Sequence, residues 1–315
     1  MNEKTIRKIE AIKQGTIGVE IEMNNISRKD AAKIAAEHFG TGRWEDTDYR
    51  NGYRTFSAWD QQDREWKFSY DSSIAGPESQ RCELISPVLH YEEIELLQEL
   101  CRRLRKAGAK SDPTRGTAVH VHIGADGHTP QSLRALINLM ASHEQLIIDA
   151  LQIDRGRVAR YCKPVDPRFL RELNSKKPKT MAKLADIWYK SQGESYGRNN
   201  RYNGSRYAFC NLHATFTKGT VEFRGWNFQP PAGDKQNGIH CGLLKTFIQL
   251  SLALSAHAKE IKCASAKPIQ TENPKFAMRT WLNNLGMIGP EFETARKFLT
   301  QNLEGDTAFR FGRAA

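Results

Sequence analysis

The sequence predicts an α+β fold, because short strand-like segments alternate with helix-like segments along its 315 residues without any internal repeat. Hydrophobic residues at 39% and charged residues at 26% are typical of a globular protein that buries a full core. No stretch approaches the roughly 18 apolar residues of a membrane span. The opening Met-Asn-Glu-Lys also lacks the apolar core of a signal peptide. We therefore expect a cytoplasmic protein with no membrane partner.

The cysteines support the same compartment. Six cysteines are scattered along the chain with no Cys-x-x-Cys pair, which favours reduced thiols over a disulfide framework or a zinc knuckle. They are Cys82, Cys101, Cys162, Cys210, Cys241 and Cys263.

The first predicted strand alternates apolar and acidic side chains, which point to opposite faces. Ile17, Val19 and Ile21 share one face. Glu20 and Glu22 share the other. Two carboxylates this close repel each other unless a cation lies between them, and Mg²⁺ prefers oxygen ligands. An isolated Glu-x-Glu pair is more often a solvated strand face, so the metal-site hypothesis depends on the later strands.

The next elements follow in order. Ser27 is a suitable cap for a helix that runs to about His38 and stops at Gly40. Residues 43–70 are rich in Trp, Tyr, Arg and Asp and predict short strands joined by turns. A further strand is closed by Pro87, since proline cannot continue a strand ladder.

Helical spacing of leucines then predicts a helix over residues 91–107, followed by a strand over 118–124. Thr129 and Pro130 open a long helix with a buried apolar stripe.

The second half of the chain begins with a polar, irregular stretch, residues 154–206, which contains a short predicted helix near 180–189. A loop of this length in a compact protein is usually disordered or functional. The later predicted elements are a hairpin of strands 207–214 and 219–227 around Lys218-Gly219, and helices over 236–258, 275–285 and 290–302.

Three later strands repeat the arrangement of the first, with ionisable groups on one face. His120 and His122 share a face in one strand, and Glu222 and Arg224 share a face in another. Glu83 precedes the Ser-Pro turn of a third. Burying such groups without compensation costs several kcal/mol each. The four strands together therefore predict a shared polar cavity with its own counter-ions.

The order of these motifs resembles the carboxylate–amine ligase superfamily, which includes glutamine synthetase and glutamate–cysteine ligase, and most closely its small "putative amidoligase" branch. The resemblance spans about residues 15–255. The motifs that carry it are Gly18-Val19-Glu20-Ile21-Glu22, Trp66-Lys67-(x)3-Asp71-Ser72-Ser73, Glu83-Leu84-Ile85-Ser86-Pro87, His120-Val121-His122, Arg206-Tyr207-(x)3-Asn211-Leu212 and Gly219-Thr220-Val221-Glu222-Phe223-Arg224.

The resemblance implies a glutamine synthetase-like catalytic fold, in which a curved, mainly antiparallel sheet forms a funnel with flanking helices. Residues 1–260 would form this catalytic domain, and residues 261–315 a helical extension packed on it. Such enzymes use ATP and two or three Mg²⁺ ions, with Mn²⁺ as an alternative. They phosphorylate a carboxylate, and an amine then displaces phosphate to form an amide.

The resemblance also implies roles for the metal-binding residues. Glu20 would bind metal on the ATP side, and Glu22 and Glu83 would bind metal on the side of the acyl acceptor. His120 would join Glu222 around an ATP-bound ion.

Further residues would act on the phosphates. Arg224 would touch the transferring phosphoryl group, with Arg206 as a second phosphate contact. Arg198 and Arg201 are further candidates for phosphate contact. Asn211 and Lys67 match positions expected at the nucleotide or substrate, and so does Asp71.

The substrates implied are a carboxylate and an amine, carried by an amino acid, a peptide or a protein. Ammonia is a poor expectation, because the loops that form the ammonium site of glutamine synthetase have no recognisable equivalent. An aromatic-rich insert at residues 43–66 would shape a pocket for a larger acceptor or simply pack the sheet. Assembly into a homo-oligomer stays open.

Two other classes of function remain. A metal-dependent hydrolase or phosphodiesterase would use His120, His122 and the glutamates. A non-catalytic nucleic-acid-binding protein would account for the net charge of +11 and the basic run from Arg102 to Lys106. That run ends a predicted helix, where cations complement the helix dipole, so a solvated helix end explains it as well.

Overall fold

The computed structural model describes residues 2–50, 52–229 and 238–309. Its contacts divide the chain into two compact units, with boundaries that fall inside two strands and one helix. The sheet unit comprises Thr16–Val121 and Trp226–Lys245. The helix-rich unit comprises Met1–Gly15, His122–Gly225 and Thr246–Ala315. The division of the chain into residues 1–260 and 261–315 stays a prediction.

The sheet unit is built on antiparallel strands in the order β2-β3-β4-β5-β1. Ala118, just before the sixth strand, accepts a hydrogen bond from the Glu22 amide (3.0 Å). The elements are β1 (Ile17–Asn24), α2 (Arg28–His38), β2 (Trp44–Asp46), β3 (Phe56–Trp59), β4 (Glu65–Ser69), β5 (Arg81–Ile85), α3 (Ile94–Lys106) and the first half of β6 (Val119–Gly124).

The helix-rich unit contains the rest of β6 and the antiparallel pair β7 and β8. Helix α9 begins in the sheet unit and continues here from Thr246. The elements are α1 (Glu3–Lys13), α4 (Pro130–Leu151), α5 (Arg155–Arg160), α6 (Pro167–Lys176), α7 (Met181–Ser191), β7 (Cys210–Asn211), α8 (His213–Lys218), β8 (Thr220–Trp226), α9 (Cys241–Glu260), α10 (Pro274–Leu285) and α11 (Glu293–Thr300).

The two faces of the sheet differ in polarity, as strand alternation predicts. Ile21, Leu84 and Phe68 lie side by side in the register and are 0% exposed. Helix α2 packs against β3 and β4, and its alanines are fully buried. Small side chains let a helix approach a sheet closely, so the apolar face becomes the core. The opposite face keeps its carboxylates and hydroxyls.

Most predicted elements of the first half are confirmed. The Ser27 hydroxyl accepts a hydrogen bond from the Asp30 amide (3.0 Å) and starts α2. Thr129 starts α4 in the same way, through the Ser132 amide (3.2 Å). Gly40 has the positive φ of 72° expected after a helix end. The sequence interpretation omitted helices α1, α5 and α6.

The predicted hairpin over residues 207–227 is wrong in its first arm, because α8 (His213–Lys218) separates β7 from β8. Thr and Phe residues in this segment have strand propensity. The side-chain Oδ1 of Asn211 nevertheless accepts a hydrogen bond from the His213 amide (2.8 Å), which favours a helix start. Gly219 ends that helix with a φ of 71°. Two residues of the predicted helix 236–258, 236 and 237, lie outside the described residues.

All six cysteines are free thiols in the structure. Among the described residues, none of the helices has the length and apolar character needed to cross a membrane.

Candidate active site

The polar face of the sheet unit brings two carboxylates directly opposite each other. Glu22 on β1 pairs with Glu83 on β5, and Ser69 on β4 is the next neighbour of Glu83. Like charges directly opposite on an antiparallel pair are destabilising. Glu22 is only 5% exposed, so water screens this repulsion poorly. A bound cation is the simplest group that would stabilise this pair.

A first group of possible metal ligands joins β1, β5 and β6. One ligand atom each from Glu20, Glu83 and His120 lies within 4.8 Å of the others. His120 Nδ1 lies 3.0 Å from Glu20 Oε2, and a carboxylate accepts, so Nδ1 donates this bond. In a neutral imidazole, Nε2 then carries the lone pair that binds metals. His120 Nε2 lies 4.0 Å from Glu22 Oε1.

A second group shares one carboxylate with the first. Ligand atoms of Glu22, Asp71 and Glu83 also lie within 4.8 Å of one another. Asp71 follows β4 in a turn in which it accepts a hydrogen bond from the Ser73 amide (2.6 Å). The sequence reasoning expected substrate contacts for Asp71 and did not include it among the metal ligands. Asp71 lies two residues after Ser69, so strand alternation places both side chains on the same face as Glu83, the register partner of Ser69. The sequence alone does not show that Ser69 pairs with Glu83.

The donor set fits a hard divalent cation. Carboxylate oxygens suit Mg²⁺ and Mn²⁺, and one imidazole is compatible with Mn²⁺ in particular. No cysteine belongs to these groups, which disfavours a structural zinc site. Because Glu22 and His120 are each 5% exposed, the residues fit a metal site better than a solvated strand face.

The helix-rich unit holds a polar group on β8. Arg224 Nη1 donates to Glu222 Oε1 (2.5 Å), and Asn211 Nδ2 donates to Glu222 Oε2 (2.7 Å). His122 Nδ1 lies 2.9 Å from Thr220 Oγ1, and its Nε2 lies 3.8 Å from Glu222 Oε1. Glu222 is 3% exposed. Hydrogen bonds from an arginine and a side-chain amide compensate for the burial of its carboxylate.

Asn211 supports both Glu222 and the start of α8. It is 1% exposed. Its side-chain Nδ2 donates a hydrogen bond to Glu222, and its side-chain Oδ1 accepts one from the His213 amide at the start of α8. A side chain engaged in this way positions Glu222, while a direct contact with nucleotide stays a prediction.

Arg206 and Lys67 are the remaining predicted residues. Arg206 is the last residue of the irregular segment, and its Nη2 donates to the Tyr207 hydroxyl (2.9 Å). Lys67 on β4 pairs with Glu65 (3.5 Å) and is 43% exposed. It lies on the polar sheet face, because it is two residues before Ser69 on the same strand and Ser69 pairs with Glu83. Its assignment to nucleotide binding stays a prediction.

The two cysteines beside these carboxylates are not nucleophiles. Burial raises the pKa of the Cys82 thiol, next to Glu83, well above its usual range. Burial also raises the pKa of Cys210, next to Asn211, and the negative charges of Glu144 and Glu222 add to the effect. A thiol must ionise to attack, so both remain protonated at neutral pH.

Comparisons with known proteins identify the family of the chain. A solved structure described as a bifunctional glutathione synthetase from Pasteurella multocida matches 96% of this chain and 49% of its own, with 13% identity and a TM-score of 0.44. This chain thus spans about half the length of that protein. No curated protein matches the chain. The family model described as "Putative amidoligase enzyme" matches residues 13–239, most of the chain, and the protein therefore belongs to that amidoligase family.

Proposed function

We propose that the protein is an ATP- and Mg²⁺-dependent carboxylate–amine ligase with a glutamine synthetase-like fold. The observation that supports this most directly is Glu83, which belongs to two three-ligand groups at once. A shared carboxylate is typical of sites that hold two divalent ions side by side. Membership of an amidoligase family supports carbon–nitrogen bond formation as the reaction.

Five residues would hold the metals. Glu20, Glu83 and His120 would form one site, and Glu22, Asp71 and Glu83 would form the other. Bound there, divalent ions would neutralise the phosphate oxygens of ATP. The protein's own contribution is to hold the carboxylates in place by strand register and to orient His120 through Glu20.

Arg224 would bind the phosphoryl group that is transferred. Its side chain is 13% exposed. Glu222 accepts one hydrogen bond from it, and Asn211 fixes Glu222 in turn. A guanidinium held on one side is preorganised, which suits a reaction that depends on positioning and charge neutralisation. Glu222 and His122 are close enough to share an additional cation (3.8 Å).

The reaction would have two steps. A carboxylate oxygen of the substrate attacks the γ-phosphorus of ATP, and ADP leaves. The amine nitrogen of the second substrate then attacks the acyl carbon, phosphate leaves with the bonding electrons, and the nitrogen loses a proton. This scheme requires no cysteine nucleophile, in agreement with the high pKa values of Cys82 and Cys210.

Replacement of Glu22 by Gln, or of Arg224 by Ala, tests the proposal. Each change should lower ADP formation by at least about 100-fold, because each removes a charge that stabilises the transition state. ADP release would be measured with pooled amino acids, peptides and amines, and mass spectrometry would detect ATP-dependent loss of water from joined substrates.

Exposed Glu37 and Arg103 offer matched controls. Glu37→Gln and Arg103→Gln remove the same charges from α2 and α3, and both should retain wild-type turnover. Retained ADP formation in Glu22→Gln and Arg224→Ala would contradict the site. Metal-dependent hydrolysis without ATP would favour the hydrolase instead.

A further inference from the structure

The basic charge of the protein is concentrated in one segment. Residues 154–206, here the basic segment, contain fourteen Lys and Arg against five Asp and Glu, a net charge of +9 out of +11 for the whole chain. The segment belongs entirely to the helix-rich unit. The remainder of the chain is therefore close to neutral, and long-range attraction of an anion would be directed to this segment.

The basic segment is attached directly to the strand of the proposed site. Lys163 donates its amide to the Tyr207 carbonyl (3.0 Å) and accepts from the Phe209 amide (2.8 Å). The Phe209 carbonyl in turn accepts from the Arg224 amide (2.8 Å). Arg157, 8% exposed, donates from Nη2 to the Arg224 carbonyl (3.2 Å). Several hydrogen bonds thus fix the position of the basic segment relative to Arg224.

Arginine and tyrosine side chains alternate between Arg224 and the surface. The guanidinium carbon of Arg224 lies 5.9 Å from the ring centre of Tyr207, and that of Arg206 lies 4.8 Å from the same ring. Arg206 also lies 5.0 Å from the ring centre of Tyr202, and Arg201 lies 4.7 Å from it. We call these five residues the arginine–tyrosine ladder.

The ladder becomes more accessible with distance from the site. The Arg224 side chain is 13% exposed, whereas Tyr202 is 49% exposed. Two hydrogen bonds hold its centre, from Arg206 Nη2 to the Tyr207 hydroxyl (2.9 Å) and from Arg206 Nη1 to the Arg201 carbonyl (3.4 Å). Guanidinium groups stacked on rings are preorganised to bind through their edges, which match carboxylates bidentately.

We propose that the ladder binds an acidic peptide segment and guides one of its carboxylates to Arg224. This inference rests on the proposed function, because a ligase that phosphorylates a carboxylate needs such a substrate. The substrate class would then be a peptide or protein region rich in Asp and Glu. A single-stranded nucleic acid fits less well, because a base that stacks on Tyr202 has to share the ring with two guanidinium groups.

Equilibrium binding tests the proposal without any chemistry. Two fluorescein-labelled probes, a ten-residue peptide of alternating Glu and Gly and a ten-nucleotide thymidine strand, would be titrated with the full-length protein in the absence of ATP. Fluorescence anisotropy would report the dissociation constants. We expect the peptide to bind more tightly than the oligonucleotide, and both affinities to fall with added salt.

The informative variant is Tyr202→Leu, which keeps every charge and removes the ring that orders two arginines. It should weaken peptide binding by about tenfold, since two cation–π contacts are lost. Arg201→Gln, at an exposed position, should weaken it several-fold. Tyr196→Leu is the matched control, because Tyr196 is in the same segment, is 94% exposed and has no place in the ladder. It should bind within about twofold of wild type.

Each alternative outcome contradicts either this inference or the proposed function. Unchanged binding by Tyr202→Leu, or an equal loss in Tyr196→Leu or Arg103→Gln, would indicate diffuse charge attraction. Tighter binding of the oligonucleotide would make the surface a nucleic-acid site. Peptide binding without ADP formation would leave the ladder intact and contradict the ligase. ADP formation with other carboxylates, without peptide binding, would contradict the role of the ladder and leave the ligase proposal intact.

Discussion

Glu83 shows how much of the candidate site depends on single residues. Its carboxylate faces Glu22 across two strands and also lies within 4.8 Å of the donor atoms of Asp71, Glu20 and His120. Each of these groups is costly to bury alone. Together they form one acidic cluster that a cation would stabilise. The Glu-x-Glu pattern, which is a weak signal by itself, therefore indicates a metal site in this context.

Glu144 on α4 is a further carboxyl group that is partly buried. Burial raises its pKa to about 7, although the Val165 amide donates to both of its oxygens (3.0 and 3.2 Å). In the unfolded chain the same group ionises near its ordinary pKa of 4.5. Between these values the unfolded state releases a proton that the folded state retains, so folding stability falls as the pH rises.

We therefore predict that Glu144→Gln removes part of this pH dependence. Urea unfolding of the wild type should show a loss on the order of 3 kcal/mol from this group between pH 4.5 and pH 7. The variant should lack that component and should be more stable than wild type above pH 7. Glu37→Gln, which removes an exposed carboxylate, should retain the wild-type loss. An identical pH profile in Glu144→Gln would contradict the account.

At the scale of elements, β8 depends on two different glycines. Gly219 precedes the strand with a φ of 71°, and a Cβ there would meet nothing within 4 Å. Gly225 follows Arg224 with no such backbone demand, but a Cβ there would lie 2.1 Å from the ring of Phe209. Phe209 is 0% exposed, so its ring has little freedom to move.

Alanine at these two positions should have different costs. Gly219→Ala should lower the free energy of unfolding by about 1 kcal/mol, the cost of a left-handed residue. Gly225→Ala should lower it by about 2–3 kcal/mol, because the Phe209 ring must be displaced. Urea denaturation would measure both. Equal losses of unfolding free energy in the two variants would contradict the steric argument. Gly219→Asn should lose less stability than Gly219→Ala, because Asn tolerates the left-handed conformation better.

At the scale of the whole molecule, metal binding and folding are linked. Any ligand that binds only the folded state raises stability, by about 2.7 kcal/mol at a free concentration 100 times its dissociation constant. The acidic cluster is formed by strands that are distant in sequence, so the unfolded chain offers no equivalent site. Thermal stability should therefore report metal occupancy.

We predict that Mn²⁺ raises the Tm of the wild type by about 5 °C or more under such conditions. Glu83→Gln should abolish most of this gain, because it removes the one carboxylate that the two ligand groups share. Without metal, the same variant should be at least as stable as wild type, because it relieves the repulsion with Glu22. Glu37→Gln should keep the full gain. Equal gains in Glu83→Gln and wild type would contradict the cluster as the binding site.

Patterns local in sequence predicted much of the fold. Strand alternation placed Ile17, Val19 and Ile21 in the core with Glu20 and Glu22 opposite, and side-chain caps located the starts of α2 and α4. Short helices were less predictable. Helix α8 carries residues with strand propensity, and it forms because Asn211 and Gly219 favour its two ends.

The sequence by itself determined which residue types share a strand face and where the ligase motifs lie, because alternation and spacing are local properties. Only the tertiary structure decided that Asp71 joins Glu22 and Glu83, that Asn211 supports Glu222, and that arginines and tyrosines alternate outward from Arg224. Those contacts depend on strand register and loop path, which are set by long-range packing and leave no periodic signal in the chain.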